Sequence, residues 1–203
     1  MKNIIIGKLI VITGPMFSGK TSRLIELLER ENLAGRNTLL FKPEIDTRYD
    51  NNSVTTHKGI KLPAIVVSTD NSGIDKIYRL SKNVDVIGID EAQFWNHNSI
   101  LPEIADKMAR ENKIVYVAAL NKNNLGLPFK TSMEVLSRAD QVYSLTAVCA
   151  KCGEDATFTQ RILNGKETFG EAIKIGGKES YEPRCRNCFN PPTVEEIKRF
   201  MNQ

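Results

Sequence analysis

"GPMFSGKT", residues 14–21, is a complete G-x-x-x-x-G-K-S/T pattern, opened by Gly14, closed by Gly19, Lys20 and Thr21, with Pro15, Met16, Phe17 and Ser18 between them. Glycines let the backbone turn tightly enough for several N–H groups to converge on phosphate oxygens. The lysine reaches the β and γ phosphates, and the hydroxyl after it can hold Mg2+. A pattern this short carries weight only in the right surroundings. Before it, "KLIVIT", residues 8–13, is a near-continuous apolar run suited to a strand buried on both faces. After it, "TSRLIELLERENLAG" puts Leu24, Leu27 and Leu28 on one helical face, with Gly35 as a stop signal. Strand, glycine loop and helix together place anions at a helix N-terminus. The stretch predicts a nucleoside triphosphate ligand.

Further apolar runs follow: "NTLLFKP" from Asn37, "AIVVS" from Ala64, "VDVIGID" from Val84, "KIVYVAAL" from Lys113 and "QVYSLTAVC" from Gln141. Ile100, Ile104 and Met108 mark a helical face between two of them. Strands alternating with helices predict an α/β fold, a mostly parallel sheet with helices on both faces and ligands at the C-terminal strand ends. Residues 1–145 are expected to form this phosphate-loop NTPase-type nucleotide-binding domain. Beyond Cys149 the texture turns glycine-rich and cysteine-bearing, with short strand candidates "ATFTQRIL" and "AIKIGG". Residues 146–192 are expected to form a small, cysteine-bearing second domain. Residues 193–203 are expected to form a short helix and tail, capped by Thr193 and Glu196.

A chain of 203 residues holds one α/β core and a small appendage. A net charge of +4 fits phosphate-bearing ligands, and no dense basic run interleaved with aromatics asks for nucleic acid. No apolar run approaches membrane-spanning length, and the apolar N-terminus merges into the phosphate loop, so a cytoplasmic protein without a membrane partner is expected.

Asp90 and Glu91 end the run "VDVIGID". An acid there, beside a phosphate loop, is where a Mg2+-associated carboxylate is needed, which leaves Glu91 free to take a proton from an incoming nucleophile. All four cysteines fall in "CAKC" (Cys149, Cys152) and "CRNC" (Cys185, Cys188), two knuckles that supply four thiolates for a closed, structural zinc site. Two disulfides are the alternative, and a cytosolic chain would keep them reduced. The 32 residues between the knuckles suggest a loop tied at its base by metal.

Taken in order, the phosphate loop, "DTRY" from Asp46, "DEAQF" from Asp90, Pro128-Phe129, the paired knuckles and "IGG" from Ile175 with Tyr181 resemble the zinc-containing thymidine kinases. The resemblance runs from residue 9 to residue 188. It implies transfer of the γ-phosphoryl group of ATP to the 5′-hydroxyl of thymidine, with deoxyuridine as a further acceptor. The loop, Asp46, Thr47, Arg48 and Gln93 would then serve the triphosphate, Thr21 and Asp90 the Mg2+, and Glu91 the 5′-hydroxyl as base. Met16, Phe94, Leu120, Asn124 and Phe129 would enclose the nucleoside, with Thr159, Ala172, Ile173, Lys174, Ile175, Gly176 and Tyr181 from the closing loop. A homotetramer inhibited by thymidine triphosphate (dTTP) is implied by resemblance alone. Asn121, Asn124 and Lys58 depart from the family pattern, the first two at the nucleoside. "NKNN" from Asn121 also suggests a guanine signature, and "DEAQ" a helicase. The first leaves the cysteines unexplained, and the second needs two such domains.

Overall fold

The computed structural model describes residues 5–46, 53–55, 61–96, 98–169 and 180–201. The chain runs β1 (Lys8–Gly14), α1 (Lys20–Leu33), β2 (Thr38–Pro43), β3 (Ser53–Thr55), β4 (Lys61–Pro63), β5 (Ile65–Val67), α2 (Asn71–Leu80), β6 (Val86–Ile89), α3 (Leu101–Arg110) and β7 (Ile114–Leu120). It continues through α4 (Lys130–Arg138), β8 (Gln141–Ser144), β9 (Ala147–Val148), β10 (Asp155–Ala156), β11 (Phe158–Leu163), β12 (Lys166–Thr168), β13 (Tyr181–Arg184) and α5 (Val194–Met201). Six strands form one sheet in the order β5-β2-β6-β7-β1-β8, every pairing parallel.

Side-chain alternation explains why this sheet is covered on both faces. Leu9 and Val11 of β1, with Val115 and Val117 of β7, face the core that Ile74, Ile77, Leu101, Met108 and Val135 close from α2, α3 and α4. Ile10 and Ile12, with Ile114 and Ala118, face Leu24, Ile25, Leu27 and Leu28 of α1. α1 lies tight against the sheet because β6 offers Gly88, where an added Cβ would stand 2.7 Å from the Leu28 Cδ1. Each fully buried leucine or isoleucine here contributes about 1.5–3 kcal/mol of transfer free energy. A buried polar tie crosses this face: the Tyr116 hydroxyl donates to the Glu31 carboxylate at 2.8 Å, and Arg36 pairs with the same carboxylate.

Sequence reasoning passed over two helices, although α2 carries Ile74 and Ile77 on one buried face. α2 is set by its cap, the Asp70 carboxylate accepting from the Gly73 N–H at 3.1 Å and from the Ser68 and Ser72 hydroxyls. α4 buries Thr131 and Ser132 beside Val135, so its packed face is largely polar.

The apolar run from Gln141 does not form one strand. β8 ends at Ser144, the Leu145 N–H donates to the Thr13 carbonyl, and β9 then pairs with β10 in a separate antiparallel sheet. Thr146, exposed and bonded to Asp155, marks the turn into the cysteine-bearing part. There β11 pairs antiparallel with both β12 and β13. "AIKIGG" lies outside the described residues. The capping box of α5 forms reciprocally: the Thr193 N–H donates to Glu196 at 2.7 Å, and the Glu196 N–H to the Thr193 hydroxyl at 3.2 Å.

Candidate active site and metal centre

Because the sheet is parallel, β1, β2, β6 and β7 all end on one edge, and their following residues gather there. The loop after β1 turns through Gly14 at φ 148° and Gly19 at φ 82°. An added Cβ at Gly14 would stand 2.4 Å from the Leu145 carbonyl oxygen, so only glycine fits that turn. The Lys20 Nζ, largely buried, donates to the Pro15 carbonyl at 2.7 Å, and the Ser18 hydroxyl to the same oxygen at 2.8 Å. The Thr21 hydroxyl stands 3.2 Å from one oxygen of the buried Asp90 carboxylate and 3.4 Å from the other. A hydroxyl and a carboxylate brought together beside the loop form the pair a divalent cation needs. Asp46 is buried in the turn that follows β2, three residues past Pro43.

Glu91 follows Asp90 in a left-handed conformation, φ 53° and ψ 42°, and its N–H donates to the Asp90 carboxylate at 3.0 Å. Gln93 is almost fully buried behind it. Its amide nitrogen donates to the Glu91 carboxylate, and its carbonyl oxygen accepts from the Leu120 N–H at 2.9 Å. Gln93 therefore ties the end of β7 to Glu91 and orients that carboxylate. Sequence reasoning grouped Gln93 with the phosphate ligands and did not see this bridge.

Of the expected nucleoside contacts, Phe94 follows Glu91 in a one-turn helix, Leu120 ends β7, Phe129 precedes α4, and all three are half-buried. Asn124 is buried in the loop between β7 and α4. That loop is fixed by Asn123, which sequence reasoning passed over. Its side-chain oxygen accepts from the Leu125 and Leu127 N–H groups at 2.9 and 3.1 Å, an Asx-type turn. Thr159 on β11 and Tyr181 on β13 are buried, and the Thr159 hydroxyl accepts from the Met16 N–H at 3.0 Å. Thr47, Arg48, Lys58, Ala172, Ile173, Lys174, Ile175 and Gly176 lie outside the described residues.

The four cysteines come together from the ends of β9 and β13. Their sulfurs all lie within 4.8 Å of one another, with Cys152 and Cys185 3.6 Å apart, and all four are free thiols. Tetrahedral zinc with Zn–S bonds of about 2.3 Å sets its sulfurs roughly 3.8 Å apart, so this donor set fits the ion. Thiol–thiol hydrogen bonds from Cys152 and Cys185 push Cys188 up to about 12. Burial opposes ionisation of Cys149, yet N–H groups of Cys185, Cys152 and Lys151 bring it down to about 6. Zinc binding would require all four thiols to give up their protons, so the metal's hold on this donor set would weaken as pH falls.

The family model described as thymidine kinase matches residues 7–189. The thymidine kinase of Pyrobaculum aerophilum is 42% identical over 186 residues, covering 91% of this chain and 99% of that protein. The thymidine kinase of Thermococcus kodakarensis is 44% identical over 184 residues, covering 89% and 92%. The thymidine kinase of Mesoplasma florum is 43% identical over 183 residues, covering 88% and 89%.

Proposed function

The chain belongs to the thymidine kinase family, and from that premise we propose how its residues carry out the transfer of the γ-phosphoryl group of ATP to the 5′-hydroxyl of thymidine. The observation that supports it best is the Thr21 hydroxyl standing beside the Asp90 carboxylate at the mouth of the phosphate loop, with Glu91 next in the chain. Lys20 would leave the Pro15 carbonyl for the triphosphate. Thr21 and Asp90 would hold Mg2+, which neutralises charge on the β and γ phosphates. Glu91 takes the proton of the 5′-hydroxyl as its oxygen bonds to the γ phosphorus. The bond from that phosphorus to the bridging oxygen breaks, and ADP leaves with the electron pair. Gln93 keeps the base aimed, and family resemblance gives Arg48 the developing charge on the transferred group.

The residues between β12 and β13 would close over the thymine, rooted on a sheet that structural zinc holds through Cys149, Cys152, Cys185 and Cys188. Met16, Phe94, Leu120, Asn124, Phe129, Thr159 and Tyr181 would line the nucleoside side. A cytoplasmic homotetramer inhibited by dTTP belongs to the same reading. The test is a panel of thymidine, deoxyuridine, deoxycytidine, deoxyadenosine and deoxyguanosine with Mg-ATP, following ADP and monophosphate. Thymidine turned over well above the purines and deoxycytidine is expected. Equal turnover of all five, or of none, would sink the reading.

A further inference from the structure

We propose that the cysteine-bearing module is the outer brace of the phosphate loop, with the Thr159 hydroxyl and the Phe17 ring as positioning contacts that set the loop's grip on a triphosphate. The inference rests on the reading of residues 14–21 as the triphosphate site. A phosphate loop works by aiming backbone N–H groups, so whatever fixes its backbone direction fixes its affinity. In this chain two successive loop residues are held by the second module.

The Met16 N–H donates to Thr159 at 3.0 Å, across 143 positions of sequence. Thr159 has no freedom to follow a moving loop: it is buried in β11, opposite Pro183 of β13, and β13 runs directly into Cys185. An N–H already engaged there shapes the loop and leaves phosphate contact to its neighbours. Phe17 is left-handed, φ 66°, a conformation that a phenylalanine keeps only where its surroundings over-determine it. Those surroundings are Ala147, Cys149, Ala156 and Cys185, a small core formed around the thiols, with Cys188 at its edge. The strand that braces the loop is itself held on both sides, pairing antiparallel with β12 and with β13.

The experiment compares binding of a non-hydrolysable Mg-ATP analogue to zinc-loaded, full-length protein as wild type, Thr159→Val and Thr159→Ser, by calorimetry. Losing one well-placed hydrogen bond predicts analogue affinity weaker by roughly three- to tenfold in Thr159→Val. In Thr159→Ser it should stay within about twofold of wild type, by the same reasoning. In steady state the KM for ATP should rise more than that for thymidine. Equal analogue affinity in wild type and Thr159→Val overturns the proposal, and so does a change confined to the KM for thymidine. A wild type that binds no analogue would overturn the loop reading and this inference with it. Hydrogen exchange on the nucleotide-free wild type is independent of any variant's folding: the Met16 amide should be protected, and exchange at the rate of a free loop amide overturns the brace.

Discussion

Glu91 holds a backbone conformation that glutamate does not favour, at a cost of about 1–3 kcal/mol. Asn112 and Asn164 are also left-handed, but asparagine tolerates that region well. At Glu91 the strain has a use: it lets consecutive carboxylates diverge, Asp90 toward Thr21 and Glu91 toward Gln93. Replacement by glutamine keeps size and hydrogen bonding and removes only the base. Glu91→Gln should therefore bind the ATP analogue as wild type does and turn over slower by roughly two orders of magnitude or more. Turnover near the wild-type rate would remove Glu91 from the role. The chemistry-bearing residues were legible because spacing reports them: the phosphate loop, Asp90 and Glu91, and the two knuckles each stand in a short local pattern. What was not legible is how distant residues meet. Gln93 closing on Leu120, and Thr159 on Met16, depend on strand order, which no local spacing encodes.

Strand order accounts for the element scale as well. The apolar runs gave β1, β2, β5, β6 and β7 to within two residues, since a strand covered on both faces reads as apolar almost throughout, whereas the run from Gln141 overran the exposed edge strand β8. α4 escaped because it packs with threonine and serine, and the division after Ser144 escaped because hydrophobicity alone does not say where a chain leaves one sheet for another. A polar tie of the same hidden kind joins α1 to β7. Burial, then the hydrogen bond to Glu31, raises the Tyr116 hydroxyl well above the ordinary tyrosine value of 10. A proton held more tightly in the folded state stabilises it below the unfolded pKa. As pH rises past about 10 the unfolded chain releases that proton and the folded chain does not, so stability falls until the folded value is passed. Tyr116→Phe removes the titrating group, so its Tm should decline less steeply above pH 10 than that of wild type. Parallel alkaline limbs in the two proteins would show that Tyr116 does not govern the decline.

For the molecule as a whole, what matters is that its hydrophobic clusters are separate. The two that sandwich the sheet share no residue with the cluster around the thiols, so the α/β part carries a complete core without the metal. The chain's single tryptophan, Trp95, is buried in the first of these, and its fluorescence reports on that part. Wild type should bind about one zinc per chain through its four thiolates. In Cys185→Ser one of the four sulfurs is gone, so stoichiometric zinc should be lost and turnover with it, while the Trp95 unfolding transition stays within a few degrees of wild type. Retained zinc and retained turnover in this variant would refute four-thiolate ligation. Loss of the Trp95 transition would show instead that the sheet depends on the module for its folding. The expected result separates two duties of one chain: apolar strands suffice to fold the phosphate-binding sheet, and metal-tied strands are needed to make it act on a nucleoside.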